Sequence, residues 1–136
     1  MEIHGYLAYG DEDVIGISEI PNCSRWQVDL LPDIIREHFG GQHWDGYHHI
    51  GGYTILIPNV SMRIYYTDKA CTLEEAESSL LDKMYGNMTV ITSNTGYSEY
   101  TITGMDLNTF SIGGHDLRHE LENHIGEYCW IIIETD

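Results

Sequence analysis

Histidine is the residue whose number and spacing in this sequence most directly suggest chemistry. The 136-residue chain contains eight histidines, and six of them fall into two clusters, one in a glycine-bracketed segment at 40–52 and one near the C-terminus. The six are His43, His48, His49, His115, His119 and His124. Clustered imidazoles are what a protein needs in order to bind a zinc ion.

The C-terminal cluster has the spacing of a metal-binding helix. His115 and His119 are four residues apart, so on a helix both imidazoles would lie on one face about one turn apart, with Glu122 on the same face. His48 and His49 are the preferred further ligands. The spacing suits a closed, structural zinc site, and the alternative is that these histidines are ordinary exposed side chains.

The sequence argues against a catalytic site. An HExxH metalloprotease has a glutamate after its first histidine, whereas here Asp116 follows His115 and Arg118 precedes His119. No GxSxG, GxGxxG or P-loop pattern occurs. We therefore predict a protein that is not an enzyme. The alternative is a metal-dependent hydrolase that uses the histidine clusters, with Glu120 or Glu122 as base.

Charge is the second unusual property. The chain has 22 acidic and 6 basic residues, which give a net charge of −16 at pH 7. Such a balance disfavours direct binding to nucleic acid or to an anionic membrane, and it favours a basic protein partner.

The carboxylates that we predict to bind this partner form three rows, which can imitate the charge density of a phosphate backbone. The rows are Asp11, Glu12 and Asp13; Glu74, Glu75, Glu77 and Asp82; and Glu120, Glu122 and Glu127. Lysines that would interrupt such rows are few in the chain. The charge therefore indicates a binding function.

Three segments have the apolar spacing of helices. The first spans about 30–39 and ends at a pair of glycines. The second begins at Thr72, where Thr72-Leu73-Glu74-Glu75 is a capping box, and is predicted to continue to Met84. The third is predicted over about 115–125.

Alternating or continuous apolar runs predict strands in the rest of the chain. The predicted strands are a hairpin within 1–20, a hairpin of 53–57 and 62–66, a meander of 88–92, 97–103 and 110–112, and a buried final strand at 127–134. Together these elements predict an α+β fold, a mainly antiparallel β-sheet with two or three α-helices packed on it. We expect residues 1–136 to form a single domain.

Cysteine usage and hydropathy indicate where the protein works. Cys23, Cys71 and Cys129 form no CxxC pair, and an odd number of cysteines disfavours a disulfide framework. The sequence shows neither a signal peptide nor a run of about 18 apolar residues. We therefore expect a cytoplasmic protein with reduced thiols.

Three short motifs resemble a known group of proteins. GYSEYTITG at 96–104, IGGHDL at 112–117 and IGEY at 125–128 resemble the C-terminal half of small acidic proteins carried by phages and prophages of Gram-positive bacteria. Within that group, the size and charge are similar to type II-A anti-CRISPR proteins.

The resemblance implies a non-enzymatic inhibitor inside a host bacterial cell. Such an inhibitor would bind the type II CRISPR effector nuclease on a basic channel and block DNA loading or cleavage. The resemblance assigns no role to individual residues. An acidic antirestriction or immunity protein would also bind a basic partner through its negative charge, but the partner would be a different one. This class of protein remains an alternative.

Overall fold

The computed structural model describes residues 1–10, 14–40, 42–45, 51–93 and 109–135. Within these ranges the fold is α+β, as the sequence predicts, with nine strands that pair only in antiparallel fashion and three helices. The strands are β1 (Glu2–Tyr9), β2 (Ile15–Ser18), β3 (Asp29–Leu30), β4 (Gln42–Asp45), β5 (Gly51–Thr67), β6 (Leu80–Ser93), β7 (Thr109–Ile112), β8 (His115–Asp116) and β9 (Tyr128–Thr135). The helices are α1 (Leu31–Phe39), α2 (Leu73–Ala76) and α3 (Leu117–Glu122).

The C-terminal strand lies inside the sheet, between β1 and β5. The strand order is β3-β2-β1-β9-β5-β6-β7-β8, and β4 pairs with the start of β5. The predicted final strand is confirmed, because residues 128 to 133 of β9 are all buried or half-buried. A strand covered on both faces needs an unbroken apolar run, and β9 has one.

Strand β5 is one long strand, so the prediction of a hairpin between 53–57 and 62–66 is wrong. The register between β5 and β6 shifts between Ile57 and Val60, and Asn59 has a positive φ of 56°. Pro58 lacks the amide that a regular ladder requires, and a bulge is where a strand tolerates proline. The turn signal at Pro58-Asn59 therefore marks a bulge within the strand.

Both faces of the sheet are covered by helices. On the first face, Ile64 belongs to the main core together with Ile35 of α1 and Leu121 of α3. The next residue, Tyr65, must point to the opposite face, and there it packs with Ala76 of α2. Helix α2 therefore lies across the sheet from α1 and α3.

Helix α2 begins at the predicted capping box of Thr72 but ends at Ala76. The prediction that it continues to Met84 is wrong, because Leu80 begins β6 and pairs with the end of β5. The apolar spacing suits a helix, but the long ladder with β5 overrides this local preference. Asp82, predicted to lie on the outer face of the helix, therefore lies on β6.

Helix α3 is also shorter than the predicted 115–125. It spans Leu117–Glu122, and the Oδ1 atom of Asp116 caps it by accepting a hydrogen bond of 3.0 Å from the Arg118 amide. An aspartate at this position stabilises the start of a helix. His115 precedes the cap and lies on β8, paired with β7.

Candidate partner-binding surface

Helix α2 and the residue that caps its C-terminal end expose two carboxylates whose side chains have no hydrogen bond or ion pair within the described part of the chain. These are Glu74 and Glu77, and both are exposed. They are three residues apart across the single turn of α2, so their side chains lie on neighbouring positions of its surface. We call Glu74 and Glu77 the α2 pair. Because it has no internal partner, the α2 pair is open to cations of another protein.

The α2 pair stands on a firmly held segment. The backbone amide of Ala70 donates to the Tyr6 hydroxyl at 3.3 Å, and the Trp130 indole donates to the Cys71 carbonyl oxygen at 3.0 Å. Ala76 is fully buried against the second face of the sheet. The backbone that carries the α2 pair is therefore held in place, so binding does not have to order this segment of the chain.

Glu75, which the sequence groups with the α2 pair, has a structural role. Its carboxylate accepts a hydrogen bond of 3.2 Å from the Thr72 amide, and its own amide donates to the Thr72 hydroxyl at 3.2 Å. These bonds hold the pKa of the Glu75 carboxyl below its ordinary value. The capping box therefore stabilises the fold above the ordinary glutamate pKa, and this contribution is lost as the pH falls through the lowered value.

The carboxylates near the C-terminus differ from the α2 pair because each lies beside a histidine. The distances are 3.7 Å from His115 Nδ1 to Glu120 Oε1, 3.2 Å from His119 Nδ1 to Glu122 Oε1 and 2.9 Å from His124 Nδ1 to Glu127 Oε2. Each of these carboxylates therefore has a neighbouring side chain within the protein, whereas the α2 pair has none in the described part of the chain.

The shared helical face proposed for His115 and His119 does not exist, because His115 lies on β8 before the helix cap. The two imidazoles instead lie beside different glutamates. In the part of the chain that the structure describes, no group of three or more histidine, cysteine, aspartate or glutamate side chains is arranged to hold a metal ion. The zinc site stays a prediction.

Several predicted site residues lie outside the described residues. They are the proposed zinc ligands His48 and His49 and the acidic row Asp11, Glu12 and Asp13. Among the described candidates, Glu74 and Glu75 lie on α2 with Glu77 at its C-cap, and Glu120 and Glu122 lie together on α3. The structure therefore places the two described acidic groups on opposite faces of the sheet.

A polar cluster that the sequence did not predict connects the chain after α3 to the sheet. The His124 ring stacks on the Tyr66 ring at a centroid distance of 3.6 Å, and the Tyr66 hydroxyl donates to Asp82 Oδ2 at 2.9 Å. Burial, followed by the bond to Asp82, raises the pKa of Tyr66 well above its ordinary value. The phenol therefore stays neutral and acts as an anchor. Only the correct assignment of β6 could have revealed it, because that pairing brings Asp82 near Tyr66.

All three cysteines are free thiols, and we expect them to differ in reactivity. Burial raises the pKa of the Cys129 thiol to about 12, so at pH 8 it remains protonated and unreactive. Cys23 and Cys71 are partly exposed. Titration with Ellman's reagent should therefore detect two thiols in the native protein and three in guanidinium chloride. Rapid reaction of all three in the native protein would contradict the position of Cys129 in the core.

None of the helices in the described ranges has the length and hydropathy needed to cross a bilayer. The chain matches no protein-family model, and no curated protein or solved structure shows significant similarity to it.

Proposed function

We propose that this protein is a non-enzymatic inhibitor that binds a basic, nucleic-acid-handling protein inside a bacterial cell. The α2 pair is the centre of the proposed contact. Binding would place carboxylates where the partner otherwise holds nucleic-acid phosphates, and so would block DNA loading or cleavage. The type II CRISPR effector nuclease is the proposed partner, because the motifs within 96–128 resemble type II-A anti-CRISPR proteins.

The observation that carries the proposal is the exposure of Glu74 and Glu77 on an anchored segment of a chain with a net charge of −16. Elsewhere the described carboxylates are often engaged. Glu134 accepts a hydrogen bond of 2.8 Å from Arg63, and Asp82 accepts one from Tyr66. Charge that is neither paired nor buried acts at long range, and it steers association with an oppositely charged surface.

A basic protein that holds nucleic acid fits this surface for a physical reason. An effector nuclease holds its guide–target heteroduplex in a positively charged channel that recognises the backbone of the duplex. A protein that presents exposed carboxylates on an anchored segment can compete for the same lysines and arginines. Its association rate should rise as ionic strength falls, as electrostatic steering requires.

The test mixes the purified protein with a purified type II CRISPR effector nuclease at low salt. We expect the two to co-elute in size-exclusion chromatography, and we expect cleavage of target DNA to fall in proportion to the complex formed. The protein itself should be recovered chemically unchanged. Separate elution together with unimpaired cleavage would exclude this nuclease as the partner.

A further inference from the structure

The connection between β2 and β3 carries two apolar side chains that face solvent. Trp26 is 78% exposed and Ile20 is 46% exposed. Tryptophan has a large apolar surface and is highly buried on average in folded proteins. A largely exposed tryptophan, with a second exposed apolar residue in the same connection, therefore indicates a contact surface.

The turn that carries Trp26 is held in one conformation. Residues Arg25–Gln27 form a 3-10 turn, in which the Ser24 amide donates to the Gln27 side-chain oxygen at 2.9 Å. The Arg25 guanidinium donates to the carbonyl oxygen of Gly10 at 3.1 Å and so ties the turn to the end of β1. The indole is thus presented on a preorganised turn, and binding does not have to order that turn.

Two carboxylates flank this turn in the chain. Glu19 and Asp29 are exposed, and neither side chain has a hydrogen bond or ion pair within the described part of the chain. Asp29 is the first residue of β3 and pairs with Ile17 of β2. Asp29 follows Trp26 by three residues, so the distance between their Cα atoms is at most about 11 Å, the length of an extended chain of three residues. An aromatic face and negative charge are therefore available at one end of the sheet.

We propose that the Trp26 turn binds an arginine side chain of the basic partner. The guanidinium stacks on the Trp26 indole, and the negative charge of Glu19 and Asp29 at this end of the sheet attracts it. Arginine suits this arrangement better than lysine, because its planar, weakly hydrated guanidinium stacks on aromatic rings and binds carboxylates at the same time. This inference rests on the proposed function, since it requires a basic partner.

The test uses two peptides of equal charge, nona-arginine and nona-lysine, with binding to the full-length protein measured by calorimetry at low salt. We expect the arginine peptide to bind more tightly. Trp26→Leu keeps an apolar side chain but removes the aromatic face. It should weaken binding of the arginine peptide by about fivefold and weaken binding of the lysine peptide to a smaller extent, because the ammonium is more strongly hydrated and does not stack.

The matched control is Leu56→Ala, which changes another exposed apolar side chain, 68% exposed, on a different strand. It should alter the affinity for neither peptide. The thermal unfolding of both variants should match that of the wild type, because neither position is in the core.

The outcomes separate this inference from the proposed function. If the wild type binds neither peptide, the proposal of a basic partner fails. If Trp26→Leu changes neither affinity, or weakens binding of both peptides equally, the arginine site is wrong and the basic partner stands. If Trp26→Leu instead abolishes a concentration-dependent self-association in sedimentation, the Trp26 turn is a contact between copies of this chain, which also overturns the arginine site.

Discussion

Replacement of Gly113 by alanine is expected to destabilise the protein by about 3 kcal/mol and to lower its melting temperature by roughly 10 °C. Gly113 has a φ of +55°, which L-residues with a side chain rarely adopt. A Cβ atom at this position would also collide with the backbone carbonyl oxygen of Tyr85 and approach the Cα atom of Gly86. The Gly113 amide donates to the Asn87 carbonyl oxygen at 3.1 Å, so the backbone cannot move away without loss of that bond.

Gly114 provides the matched control. Its φ of +84° is equally unusual, but a Cβ atom there would have no neighbour within 4 Å. Gly114→Ala should therefore carry only the conformational cost, about 1 kcal/mol. Urea unfolding curves of the wild type and the two variants measure the difference. Equal destabilisation by the two substitutions would show that β6 does not approach the β7–β8 turn as closely as described.

Reversal of both charges of the α2 pair, Glu74→Lys with Glu77→Lys, is expected to weaken the complex with the basic partner by about 100-fold, which corresponds to about 2.7 kcal/mol. Each reversal removes an attraction and introduces a repulsion, so the pair affects affinity more than neutral substitutions would. Glu75 is left unchanged because it completes the capping box with Thr72. Dissociation constants measured by calorimetry against the effector nuclease provide the test.

The control is the double variant Glu120→Lys with Glu122→Lys. It changes the net charge by the same amount, from −16 to −12, but on α3, across the sheet from α2. These carboxylates lie beside His115 and His119, and we expect a loss of less than tenfold from the change in net charge alone. A larger loss from the α3 variant than from the α2 variant would mean that the partner binds the other face of the protein.

The elements that the sequence predicted well are those with strong local signals. The Thr72 capping box is confirmed by reciprocal hydrogen bonds, α1 begins with Pro32 in its first turn and ends at Gly40 as predicted, and the apolar run of β9 is a buried strand. Each of these signals depends on residues within a few positions of one another. A single sequence shows directly only which residues are neighbours along the chain, so signals of this kind can be recognised in it.

The elements predicted wrongly were decided by contacts distant in sequence. Leu80–Met84 has spacing that suits a helix, yet it pairs with β5 and extends the long ladder. His115 has helical spacing from His119, yet it is taken into β8 by pairing with β7. A sequence pattern indicates which local structures a segment can form, and pairing with the rest of the sheet determines which of them it adopts.

The candidate site was predictable in part for the same reason. The sequence placed Glu74 and Glu77 in one acidic row because Glu74 lies within the Thr72 capping box and Glu77 two residues after it, and the signal of that box is local. The stacking of His124 on Tyr66 was missed, because it requires the chain after α3 to return to the sheet at a point 58 residues away in sequence. The position of His115 beside Glu120 was missed because it depends on the pairing of β8 with β7, which takes His115 out of the helix.

The measurement that tests the proposed function most directly is the salt dependence of the dissociation constant of the complex with the effector nuclease. The dissociation constant of the wild type is measured from 50 to 500 mM sodium chloride, where the screening length falls from above 10 Å to a few ångströms. We expect the dissociation constant to rise by at least tenfold, mostly through slower association. A dissociation constant that stays the same from low to high salt would contradict the claim that an acidic surface binds a basic partner.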